Sequence, residues 1–112
     1  MTLSRAGVAM PLHLVIHRPP SPGTEGEACR AALREAVWEV AESHWAPGDE
    51  AVLVSSDLSS DYLLSHFRRS LARRGFDDPG MLIVAATSHI AMHGLPREAQ
   101  DWIAAVPQDE DA

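Results

Sequence analysis

Six histidines, four arginines close together and a cluster of serines are the residues of this chain that could do chemistry. His89 and His93 stand four apart, the spacing at which two imidazoles on one helical turn can share a zinc ion. A zinc site of the zincin kind also needs a glutamate beside the first histidine and a third ligand, and neither accompanies the pair. His13 and His17 would share a strand face but lie roughly 13 Å apart at strand rise, too far to ligate one ion. No metal and no cofactor are therefore expected, and the histidines read as surface or hydrogen-bonded groups. Ser55, Ser56, Ser59 and Ser60 sit in a turn without a G-x-S-x-G elbow or an oriented base, and helix capping is a sufficient role for them. Pro22-Gly23 and Gly94 punctuate the chain and form no phosphate loop. Cys29 is the only cysteine, cannot form an internal disulfide, and is expected to pack as a small hydrophobe. No catalytic residue is assigned.

Arg68, Arg69, Arg73 and Arg74 form the one concentrated basic patch. On a helix Arg69 and Arg73 are neighbours, whereas Arg68 and Arg74 are not. Arginines near a helix C-terminus complement the macrodipole, which accounts for them as a solvated helix end. As a binding surface they would suit an anionic partner, either nucleic acid or an acidic protein. The formal net charge of −7 disfavours nucleic acid, whose nonspecific affinity rests on neutralising phosphates. All nine basic residues are arginine, which composition bias explains as well as recognition does.

A chain of 112 residues suits one domain with one core, and 46% hydrophobic content argues against general disorder. The expected organisation is a flexible N-terminus at 1–10, a single α+β domain at 11–107 and an acidic flexible tail at 108–112. The apolar runs are too short to span a bilayer, and residues 1–10 lack the apolar core of a secretory signal, so a soluble cytoplasmic protein is expected.

The elements that must position these residues follow from periodicity. Leu12 to His17 reads as the first strand, stopped by Pro19, Pro20, Pro22 and Gly23. Thr24 with Glu27 fits a capping box that would open a helix with Cys29, Leu33, Ala36, Val37 and Val40 on its apolar face, joined by His44 if the helix runs that far. Ala51–Val54 is a second strand. Ser59 or Ser60 would cap a helix carrying Leu63, Leu64, Phe67 and Leu71 on one face, ending at Gly75 with Phe76 in a Schellman-type stop. Met81–Ala86, a continuous apolar run, has the signature of a central strand covered on both faces. A last helix is expected to open at Pro96, with Ala99, Trp102, Ile103 and Val106 as its stripe.

Residues 38–46 admit two assignments. Either the first helix runs to His44, giving a small alternating α/β fold, or it ends near Glu42 and Ser43–Ala46 forms an edge strand turning through Pro47-Gly48-Asp49. The second gives β-α-β-β-α-β with an added C-terminal helix, the ferredoxin-like plan.

Ser43-His44-Trp45, the strand Ala51–Val54, the Ser56–Ser59 turn, the strand Met81–Val84, and Gly94-Leu95-Pro96 leading to Asp101-Trp102-Ile103 resemble a family of small bacterial proteins known as SinR-like. These are distinct from the helix-turn-helix sporulation repressor and are similar in plan to the small CRISPR-adaptation proteins. The resemblance covers roughly residues 12 to 106. It implies a ferredoxin-like fold, homodimerisation and, in some members, metal-dependent nuclease activity centred on an aspartate at the end of the first strand. That place is held here by His17 and Arg18, so the carboxylates that would hold a hard cation are missing. His17 and Arg18 remain the residues expected near any ligand. The function expected is a small non-catalytic interaction module, homodimeric and open to a protein partner. Nucleic-acid binding with residual nuclease activity, or sensing of a small molecule or metal, stand as alternatives.

Overall fold

β1 (Leu12–Arg18) lies between two other strands and carries the register of the sheet. α1 (Gly23–Val40), β2 (Ser43–Gly48), β3 (Ala51–Ser55), α2 (Ser60–Arg73), β4 (Met81–Thr87) and α3 (Arg97–Ala105) follow in chain order. This computed structural model describes residues 12–87, 90 and 93–105. The flexible ends expected at 1–10 and 108–112, together with His89 and Val106, lie outside the described residues.

Every pair of adjacent strands is antiparallel, in the spatial order β2-β3-β1-β4. Val15 faces Val52 on one side and Val84 on the other; Ile16 faces Ala51 and Ile83. β3 and β4 run parallel to each other because both are antiparallel to the strand between them. The chain is thus an α+β fold with a four-stranded antiparallel sheet and three helices among the described residues.

Alternation splits the sheet into two faces. Val15, Val54 and the partly buried Val52 and Val84 join Cys29, Ala32, Leu33, Ala36 and Val37 of α1 and Leu63, Phe67 and Leu71 of α2 in one core. Phe67, Leu63 and Leu71 are fully buried. Each such side chain contributes on the order of 1.5–3 kcal/mol of hydrophobic stabilisation, so one face of α2 holds the helix down. Leu12 and Leu53 belong by alternation to the other face and are buried, as are Ala99 and Ile103 of α3; none of the four belongs to the core cluster.

α2 is bounded as its sequence implies. The Ser59 side chain accepts from the Tyr62 N–H at 3.0 Å. At the other end the Phe76 N–H donates to the Leu71 carbonyl at 2.8 Å and the Gly75 N–H to the Ala72 carbonyl at 3.0 Å, the paired bonds of a Schellman stop. Gly75 takes a φ of 94° there, and Phe76 packs against the core.

Two expectations require correction, and the alternative left open at 38–46 is decided. The Thr24–Glu27 capping box does not form: α1 begins at Gly23 with Pro22 in the capping position and no side-chain cap bond. The proline loop stays extended to Pro22, so Thr24 enters inside the helix. His44 does not extend α1. The helix ends at Val40, and the Glu42 N–H already donates to Ser55 in β3 at 2.8 Å, which selects the edge strand. That strand runs on through Pro47 and Gly48 with a register shift after Trp45, so the reversal falls at Asp49-Glu50. An edge strand tolerates a proline because the missing N–H faces no partner. Lastly, β4 is not a central strand covered on both faces. It pairs with β1 alone among the described residues, and Met81 and Ile83 are 40% and 45% exposed. Its unbroken apolar composition reflects a face left uncovered.

Gly80 turns the chain into β4 with a φ of 83°, and a Cβ there would overlap the backbone of Arg18 and Pro19. Replacing it with alanine combines an unfavourable φ with a backbone clash. Gly80→Ala is expected to lower the urea-unfolding free energy by more than about 1 kcal/mol and by more than Gly75→Ala, whose Cβ would enter open space.

Candidate functional site

α1 leans on α2 and touches β2 only sparsely. Opposite it, β2 offers Ala46 and Gly48 where larger side chains would fill the gap. The result is a cleft of about 510 Å³ between α1 and the β2–β3 hairpin, within the range of small-molecule sites. Its floor is apolar: Val15, Leu33, Val37, Ala51 and Val52. α1 runs against β2, so the two ends of the cleft differ. At one, Trp38 is 61% exposed and donates its indole N–H to His44 Nε2 at 2.6 Å, tying the helix to the strand. At the other, Arg30 and Arg34 line the cleft together with Asp49 and Glu50, and a recess of about 150 Å³ continues between Glu27, Arg30, Arg34 and Asp49.

The polar groups at that end are incompletely matched. His17 lines the cleft and is 2% exposed. Its Nε2 lies 2.9 Å from the Pro79 carbonyl; since a carbonyl only accepts, Nε2 carries the ring proton. Nδ1 is then a buried lone pair, and it has no partner. Arg30 Nε is likewise buried without a partner. Burial is the main cause that lowers the His17 pKa and the Arg30 charge adds to it, while the Pro79 carbonyl opposes both.

Cys29 Sγ stands 3.7 Å from His17 Nε2, a thiol–imidazole contact that the sequence did not reveal. It does not make a nucleophile and base, because that nitrogen already holds a proton. Burial, and then the charge of Asp78, also push the thiol pKa up. The expected role of Cys29 as a packed hydrophobe agrees with its place in the core.

The residues singled out from sequence are divided. His17 lies at the cleft, while Arg18 points away into an exposed ion pair with Glu50 at 3.2 Å. A carboxylate thus does stand beside the end of the first strand, supplied by the hairpin, and Arg18 occupies it. The four arginines at the C-terminal end of α2 and its cap are not one patch. Arg68, Arg69 and Arg73 are exposed and form no ion pair among the described residues, and the Arg69 guanidinium lies 6.0 Å from the centre of the Tyr62 ring. Arg74 turns back to α1, where it meets Glu35 and Glu39 at 3.4 Å each and the Ser70 hydroxyl. His66 also bridges to α1, near the Ala36 carbonyl and Glu39. Arg30, Arg34, Trp38, Asp49 and Glu50 were missed, although Arg30 and Arg34 at i, i+4 on α1 were a readable signal. No group of three metal-binding side chains occurs among the described residues, and His93 is exposed. No described helix is long and apolar enough to cross a membrane.

His13 has its pKa lowered as well, chiefly by burial. The unfolded chain takes up protons at both sites below about pH 6.5, and the folded chain resists doing so. The stability from keeping these rings neutral is present above that pH and is lost as pH falls through the folded values. The urea midpoint is expected to drop between pH 7 and pH 5, and His17→Gln, whatever its midpoint at pH 7, is expected to flatten that slope.

Comparison of the chain with protein-family models, curated proteins and solved structures yields no match.

Proposed function

We propose that this protein is a small cytoplasmic interaction module of ferredoxin-like plan, without catalysis of its own, that works as a homodimer. The strand order β2-β3-β1-β4, the β-α-β-β-α-β sequence and the packing of α1 and α2 in one core support the plan. The SinR-like resemblance points the same way.

The observation that carries the homodimer is β4. It holds no charged residue, no proline and no bulge over Met81–Ala85, the devices by which edge strands avoid pairing. The opposite edge, β2, has both Pro47 and a register shift. In a protein of net charge −7 an uncharged surface lets two copies meet without local repulsion, and Met81, Ile83 and Ala85 supply one. Pairing β4 antiparallel with itself about a two-fold axis at Ile83 sets Ile83 against Ile83 and Met81 against Ala85, the isologous contact of a C2 dimer. Wild-type protein is then a dimer in sedimentation experiments. Ile83→Asp and Ile83→Lys each place like charges opposite one another and give folded monomers. Mixing the two variants restores a dimer. Monomeric wild-type protein, or no recovery on mixing, would sink this reading.

The exposed arginines of α2 favour a second reading, in which that helix face binds an anionic polymer. Single-stranded RNA then binds with a steep salt dependence, and Arg69→Ala with Arg73→Ala weakens binding and reduces the slope by about 2. Unchanged binding in the double variant excludes this face.

A further inference from the structure

We infer that the cleft between α1 and the β2–β3 hairpin binds a small molecule with an apolar body and a carboxylate head. The head would meet Arg30 and Arg34. The body would lie along Leu33, Val37 and Val52 toward Trp38. This site is separate from β4, and its test does not depend on the dimer.

Three observations converge on that ligand. The first is shape: the cavity runs along α1 from Arg30 to Trp38, eight residues or roughly 12 Å at helical rise, and is open enough to be entered. The second is the unmatched donor. Arg30 and Arg34 form no ion pair among the described residues; neither do Arg68, Arg69 and Arg73 on the exposed side of α2, but of these five only Arg30 has a buried guanidinium N–H without a partner. A buried guanidinium N–H without an acceptor is costly, and a planar carboxylate is the group whose geometry fits the arginine fork. Glu27, Asp49 and Glu50 are exposed and none forms an ion pair with Arg30 or Arg34, Glu50 being paired with Arg18 instead, so they do not quench that demand. The third is polarity along the cleft. Its charged side chains gather at the end near Asp49, and the floor between there and Trp38 is hydrocarbon. Water is held poorly over such a floor, and an aliphatic or aromatic body replaces it favourably.

The probes are 3-phenylpropionate, indole-3-propionate and octanoate, each compared with its uncharged amide, titrated against the full chain by calorimetry and by NMR. At least one acid is expected to bind saturably in the millimolar range or tighter, with its amide at least tenfold weaker. Arg30→Gln is expected to weaken the acid about tenfold while leaving the amide unchanged. Ala46→Phe, a change at an exposed strand position, fills the cavity and abolishes binding of both. Arg73→Gln on α2 leaves affinity unaltered. Absence of saturable binding by all three acids, equal affinity for acid and amide, or binding that survives Ala46→Phe in a folded variant would each overturn the inference.

Discussion

The constraint on which the rest of the structure depends is the burial of β1. It is flanked by β3 and β4 and has α1 and α2 on one face, so its helix-facing side chains must be accommodated in a closed core. Two of them are histidines. Val15 between them is fully buried and meets valines on both neighbouring strands, whereas His13 and His17 are each 2% exposed and must be kept neutral. The core is therefore apolar in the middle and polar at both ends of one strand. His13 is satisfied on one side by the Ser60 hydroxyl at the start of α2. His17 is tied to the loop before β4 through Pro79.

That arrangement links stability to the site. His17 is held by Pro79 on one side and leaves a lone pair on the other, next to a cleft that α1 fails to close. α1 is drawn toward α2 by shared core residues and by the bridges from Arg74 and His66 to Glu39. Each partly exposed contact adds little by itself, about 1 kcal/mol or less, and both lie on the side of α1 that faces α2. The space left beside β2 follows from that lean and from the small residues Ala46 and Gly48. The core and the cleft are thus two consequences of one helix position.

The surfaces divide by chemistry. The exposed side of α2 presents arginines, β4 presents uncharged apolar residues, and the cleft combines a hydrocarbon floor with two unpaired guanidiniums. Among the described residues the cleft assembles no nucleophile with a base: Ser56 and Ser59 accept turn and capping bonds, the thiol beside His17 faces a nitrogen that already carries a proton, and the Ser60–His13 contact at 3.2 Å lies outside the cleft, at the start of α2.

The amino-acid sequence alone determined the elements whose signals are local. The face of α2, its Ser59 cap and its Gly75–Phe76 stop were legible because helical periodicity and capping depend on residues within a few positions of one another. Tertiary structure decided what depends on distant partners. Whether Ser43–Ala46 is helix or strand turned on a bond from Glu42 to Ser55, and whether Met81–Ala85 is central or at an edge turned on which strands pair with it. An apolar run reads the same in both places, since composition records the wish to be buried and not the neighbour that does it. The site followed suit. His17 was visible as a residue near the end of a strand, but Arg30, Glu50 and, at the far end, Trp38 came to line one cleft with it only when the hairpin folded back along α1, a distance no spacing rule spans.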